Sequence, residues 1–159
     1  NVLLGNGVTL YLGGGSSGAI TVASITGTAG GSASNVVINT SGAVSVTGAI
    51  GTDIGTLTIT NSGGATFGGA VTAATVALTS STGTIAFNDV LTVDSLTTSN
   101  NAYNVAINAS GSAITNAVTF SNTGTLQLGN LSTDTLSFGA GFVHANRLSS
   151  GAGLCFSQA

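Results

Sequence analysis

Short runs of alternating apolar and polar residues recur along this chain about every 20 residues. Val44/Val46, Ala65/Phe67, Ile85/Phe87 and Leu126/Leu128 are apolar pairs two residues apart, each following a polar step that ends in glycine. The steps read Asn39-Thr40-Ser41-Gly42, Asn61-Ser62-Gly63, Ser81-Thr82-Gly83 and Asn122-Thr123-Gly124, and Asn108-Ala109-Ser110-Gly111 has the same form. Successive strand residues point to opposite faces, so the two members of each pair point the same way, and four agreeing pairs make two inward columns. A repeat of this length cannot bury its apolar face alone and must stack on its neighbours. The pattern predicts an all-β chain folded as a parallel β-solenoid of about six to seven rungs, spaced ~4.8 Å apart.

Rungs are expected from Gly7 (Val8 to Leu12) and Gly18 (Ala19 to Val22), followed by a Gly/Ser-rich excursion near Gly27 to Ser34. Units then start at Gly42, Gly63 and Gly83. The third is expected to carry an insertion, residues 97–104, that protrudes before the strand Val105-Ala106-Ile107. A short unit from Gly111 and a unit from Gly124 to about Phe138 follow. The alternation then decays, so residues 1–139 are expected to form the solenoid and 140–159 a cap or a junction, because terminal solenoid units must cover an open edge. The chain has no Met and starts within the pattern, which sets the expectation of a piece of a longer protein. An eight-stranded membrane barrel would need aromatic girdles at strand ends, whereas two Tyr and six Phe are scattered through the repeat. A two-sheet sandwich would need hairpin turns, and the single Asn6-Gly7 step precedes the repeat.

Composition sharpens this picture. Hydrophobic residues make up 42% and charged residues 3%, a balance opposite to that of disordered chains. Twenty-five glycines suit left-handed corners, and the absence of proline leaves every amide free to join a ladder. One Arg, no Lys and a net charge of -3 provide no cationic surface for nucleic-acid phosphates or anionic lipids. No apolar stretch approaches the ~18 residues of a membrane helix, so direct membrane insertion is not expected.

Few residues are candidates for chemistry. Counted from the preceding corner glycine, Asp53, Asp94 and Asp134 stand at nearly one register and suggest a column of oxygen ligands for calcium, which favours several carboxylates together. The alternative is that they cap turn amides and carry the few charges that discourage aggregation. Carboxylates two rungs apart would lie ~10 Å from each other, just outside the ~6.5 to 9.5 Å of inverting glycosidases. Asp89 and Asp94 are a second pair that one coil brings near. A catalytic role would call for cations to hold acidic sugars, and only Arg147 is present, so no catalytic residue is assigned. His144 and Cys155 are too few for a zinc site. Cys155 has no internal partner, which leaves an intermolecular disulfide as its candidate role. Asn100, Asn101 and Tyr103 form the candidate binding loop, with Tyr103 stacking on a sugar. Thr-x-Thr occurs at Thr56/Thr58, Thr82/Thr84, Thr123/Thr125 and Thr133/Thr135, but the pairs do not share one register, which breaks the array an ice-binding face would need.

The stretch from Gly83 to Thr97, Gly-Thr-Ile-Ala-Phe-Asn-Asp-Val-Leu-Thr-Val-Asp-Ser-Leu-Thr, and its echo at Gly63 to Thr79 resemble the β-strand repeats of bacterial autotransporter passengers and filamentous-haemagglutinin-like adhesins. The resemblance covers roughly residues 7–139. It implies a right-handed β-helix, secreted or on the cell surface, serving as stalk, adhesin or filament. Taken with the low charge, it sets the expectation of a non-enzymatic structural protein that needs no cofactor and associates with itself. Contact with glycan or a host surface is the alternative.

Overall fold

The computed structural model describes residues 1–144 and the backbone of Cys155–Ser157. These residues wind into about seven turns of a parallel β-solenoid with three faces and contain no helix. Face 1 stacks β1 (Val2–Leu4), β4 (Ile25–Gly27), β7 (Ile50–Gly51), the first half of β10 (Val71–Leu78) and of β12 (Leu91–Thr98), β14 (Ala113–Ile114), β17 (Thr135–Phe138) and β19 (Cys155–Ser157). Face 2 holds β2 (Thr9–Ser16), β5 (Ser34–Thr40), β8 (Ile54–Asn61), the second halves of β10 and β12, then β15 (Val118–Phe120) and β18 (Phe142–His144). Face 3 is a six-stranded ladder of β3 (Ile20–Val22), β6 (Val44–Val46), β9 (Ala65–Phe67), β11 (Thr84–Phe87), β13 (Asn104–Ile107) and β16 (Leu126–Leu128). Every strand pairing is parallel, and the chain passes through the faces in the order 1, 2, 3.

The alternating pairs settle on face 3 as the pattern predicts. Val44, Ala65, Ile85, Val105 and Leu126 form one inward column, and Val46, Phe67, Phe87, Ile107 and Leu128 form the other. Phe67 and Phe87 stack at 5.0 Å between ring centroids and 9° between planes. Val2, Ile25, Ile50, Val71 and Leu91 line up inside face 1. Val36/Ile38, Leu57/Ile59 and Val76/Leu78 do the same inside face 2. The three sets meet in one core.

Three expectations about the units change. Residues 97–104 are not an insertion: Thr97 and Thr98 belong to β12, and Val105 lies in register between Ile85 and Leu126 as its own rung. The stretch 108–111 belongs to a different corner. It joins face 3 to face 1, whereas Gly42, Gly63, Gly83 and Gly124 join face 2 to face 3. At that second set of corners, the position equivalent to glycine in the missed rung is Tyr103. Past residue 139, β18 continues face 2 on β15 and β19 continues face 1 on β17, so His144 stands in register with Phe120 instead of outside the rungs.

The corner glycines also act differently from the left-handed role expected of them. None of the four has a left-handed φ. Instead, a Cβ at Gly63 would sit 2.6 Å from the Ser41 carbonyl oxygen and one at Gly83 2.7 Å from that of Gly63. Glycine is required there because one coil's backbone passes directly over the next. Inside these corners runs a polar column. Thr40 Oγ1 accepts from Gly42 N (3.0 Å), Ser62 Oγ donates to Ser81 Oγ (2.9 Å), and Ser81 Oγ accepts from Gly83 N (3.1 Å). These buried hydroxyls are tolerated because each is bonded.

Candidate functional site

The structure disperses most of the residues expected to act together. Tyr103 is not a surface platform. It is 2% exposed, and its ring lies inside the coil with its hydroxyl donating to the Leu78 carbonyl (2.8 Å) and accepting from Ser99 N (3.1 Å). The reason is local. Tyr103 N donates to Asn101 O (3.0 Å), closing a tight turn that carries the ring inward into the polar column. Asn122 Nδ2 then donates to the Tyr103 carbonyl from the following coil (3.0 Å). Asn100 and Asn101 remain exposed on that turn, where Asn101 Nδ2 donates to Thr79 O (2.7 Å). Tyr103 thus ties three successive coils together, and sugar stacking by it is excluded.

Burial pushes the Tyr103 hydroxyl above its ordinary pKa of 10.0, outweighing the Ser99 and Thr98 bonds, which lower it. The folded state therefore holds this proton to higher pH than the unfolded chain. The stability this confers is complete below pH 10 and is lost as pH rises through the raised value. Tyr103→Phe is expected to cost about 1 kcal/mol at neutral pH, since Leu78 O keeps its bond from Ser99 N. It is also expected to remove part of the alkaline decline, which urea titrations at neutral pH and above pH 10 would detect.

The three aspartates do not share a column. Asp53 and Asp94 lie at the bend between faces 1 and 2, two coils apart with the Ala74 rung between them, and both line a cleft of about 370 Å³ with Thr52, Thr72 and Thr92. At this bend the Asp53 coil is two residues longer than the one above it, and Thr52 and Asp53 absorb the excess with φ of 51° and 58°. Asp134 occupies the corner between faces 3 and 1, where its Oδ2 accepts from Asn130 N and Leu131 N, both at 2.8 Å. That turn is four residues longer than the 88–90 corner, which is why counting from Gly124 misplaces Asp134. The carboxylate that shares the Asp134 register is Asp89, two coils away with Ser110 between, and its Oδ1 caps Val90 N (2.7 Å). Asp89 and Asp94 stand at opposite ends of a face 1 strand, about 16 Å apart at ~3.3 Å per residue, so one coil does not bring them together. Among the described residues no group of three or more His, Cys, Asp or Glu converges to hold a metal. Asp134 acts as a turn cap.

Arg147 and the thiol of Cys155 lie outside the described residues, and with them the candidate intermolecular disulfide. Among the described residues no helix is long and apolar enough to cross a membrane.

What the sequence reading missed is the outer surface of face 2. There Val37, Thr58, Ala77 and Thr97 pair in unbroken register as one outward column. Thr56, Thr75 and Ser95 form a second, parallel to it. The Thr82/Thr84 and Thr123/Thr125 pairs straddle corners, and Thr133/Thr135 flank Asp134, so only Thr56/Thr58 belongs to this grid. The signal lay in the spacing from the inward pairs Leu57/Ile59, Val76/Leu78 and Leu96/Thr98, not in the Thr-x-Thr motif.

Comparison with protein-family models, with curated proteins and with solved structures finds no match. The geometry by itself defines the class: a parallel β-solenoid repeat protein with a filled apolar interior.

Proposed function

We propose that this chain is a structural segment of an extracellular bacterial surface protein, a stalk, adhesin, filament or surface layer, that works by stacking and by associating with copies of itself. The observation that carries this reading is the surface. The described residues hold four Asp and no Lys or Arg, and their outward polar groups already bond from coil to coil: Asn108 Nδ2 to Asn88 Oδ1 (2.8 Å), Gln127 Nε2 to Asn108 Oδ1 (3.0 Å) and Asn116 Nδ2 to Ser95 Oγ (2.9 Å). A rod so stitched has stiffness along its axis, and its sides lack the charge repulsion that keeps most proteins apart. Continuous ladders and a filled core resist proteolysis, as a structural element outside the cell requires. The glycan-binding alternative loses the Tyr103 platform on which it rested.

Sedimentation velocity across protein concentration, at low and high salt, tests the proposal. The expected result is a sedimentation coefficient that rises with concentration and changes little with salt, because no ion pairs hold the contacts. A single monomeric species at every concentration would overturn self-association. Negative-stain microscopy of the same samples separates end-to-end filaments from side-by-side bundles.

A further inference from the structure

We propose that the outer surface of face 2 is an ice-binding surface, recognising the ordered water of an ice crystal as its ligand. This goes beyond the structural role above and requires only that the rod be rigid.

The case rests on the grid of β5, β8, β10 and β12. Its outward columns, Val37-Thr58-Ala77-Thr97 and Thr56-Thr75-Ser95, repeat in two dimensions. Along the solenoid axis the spacing is ~4.8 Å, and along the strands, between alternate residues, it is ~6.6 Å. A regular two-dimensional array suits a partner that is itself periodic in two dimensions, and the axial spacing lies close to an oxygen repeat in hexagonal ice. Thr119, exposed on β15, extends the same face by a further rung.

The chemistry of the grid points the same way. Its members carry a hydroxyl, a methyl or both, and none is charged. The nearest charges, Asp53 and Asp94, lie at the bordering bend instead of within the columns. A charged group would hold its own hydration shell in an arrangement unlike a crystal's. A hydroxyl exchanges hydrogen bonds with water on equal terms, and the methyl beside it sits in a gap between water molecules. Thr is restricted at χ1, and in a strand locked by neighbours on both sides it loses little further freedom on binding. Each contact is weak. Many contacts made together by a surface already fixed in place incur no separate ordering cost.

The inward residues of the same strands are fully packed, with Leu57, Ile59 and Val76 all at 0% exposure, so an outward substitution leaves the core intact. Thr58→Arg places a long charged side chain at the centre of the grid. Thr66→Arg places the same side chain on the outward side of β9 on face 3, as a control for charge alone.

The test grows ice slowly from a solution of the chain and compares protein in the ice with protein left in the liquid, alongside thermal hysteresis and crystal shape under a microscope. The parent chain is expected to enter the ice, to depress freezing below melting and to facet the crystals. Thr66→Arg is expected to behave like the parent, while Thr58→Arg is expected to be excluded from ice as a non-binding control protein is. Exclusion of the parent chain overturns the proposal, and so does retention of ice binding by Thr58→Arg. If Thr58→Arg changes only the sedimentation of the chain, face 2 is a contact between copies and the ice assignment fails, while the self-association reading stands.

Discussion

Phe87→Ala is expected to destabilise the solenoid by about 3–5 kcal/mol, the range for emptying a buried aromatic site. The upper half of that range applies because the site has little freedom to collapse. Phe87 is 0% exposed and stacked on Phe67, with Ile107 on its other side in the same column. The backbones carrying these three residues are fixed at the rung spacing by parallel ladders on both sides of β11. Neither neighbour can advance into the void without breaking those ladders. A solenoid is held together by contacts between nearest coils, so the cavity also weakens coupling between the halves on either side. Urea unfolding followed by far-ultraviolet circular dichroism should show a lower midpoint and a broader transition. Phe87→Leu should restore most of the loss, since it refills much of the volume. A loss below about 1 kcal/mol for the alanine variant would mean that the column repacks, contrary to this account.

The architecture was legible because its signal is local. Alternation at Val44/Val46, Ala65/Phe67, Ile85/Phe87 and Leu126/Leu128 fixes which side chains point inward, and a repeated period fixes the stacking. The rest was hidden because corners tolerate more than one solution. A corner passes from face 2 to face 3 through glycine at five levels (Gly18, Gly42, Gly63, Gly83 and Gly124) and through Tyr103 at the remaining one, where the ring turns inside. With no glycine to mark it, that rung read as an insertion. Asn108 to Gly111 repeats the expected corner sequence but turns a different corner, where Gly111 adopts a φ of 85°. Distances counted from glycines then drifted: the longer turn at 129–134 shifted Asp134 out of the Asp94 register, and the Thr-x-Thr pairs looked scattered although one of them belongs to a regular grid. Strand registers are set by the inward apolar residues, and corner lengths vary around them, so surface columns become visible only when strands are aligned on their buried positions.

Gly83→Ala, compared with Gly51→Ala, separates the two reasons a solenoid uses glycine. At Gly83 a new Cβ would meet three backbone atoms of the coil below: the Gly63 carbonyl oxygen at 2.7 Å, the Gly64 Cα at 3.1 Å and the Gly63 carbonyl carbon at 3.3 Å. None of these can rotate aside as the end of a side chain would. Gly63 N is itself bonded to Gly42 O (2.8 Å), and Gly83 N to Ser81 Oγ, so relief at one coil must be passed to the next. The expected cost is about 2 kcal/mol, within the ~1–3 kcal/mol typical of overpacking. At Gly51, on the outward side of β7, the nearest atom is the Thr72 Cβ at 3.7 Å, an ordinary contact, and the backbone is not left-handed. Alanine there removes freedom from the unfolded chain without strain, so Gly51→Ala is expected to be neutral or to stabilise by about 0.4–1 kcal/mol. Equilibrium urea denaturation of the two variants beside the parent checks both signs. Equal effects would show that conformational freedom, and not the close passage of coils, is what places glycine at the corner between faces 2 and 3.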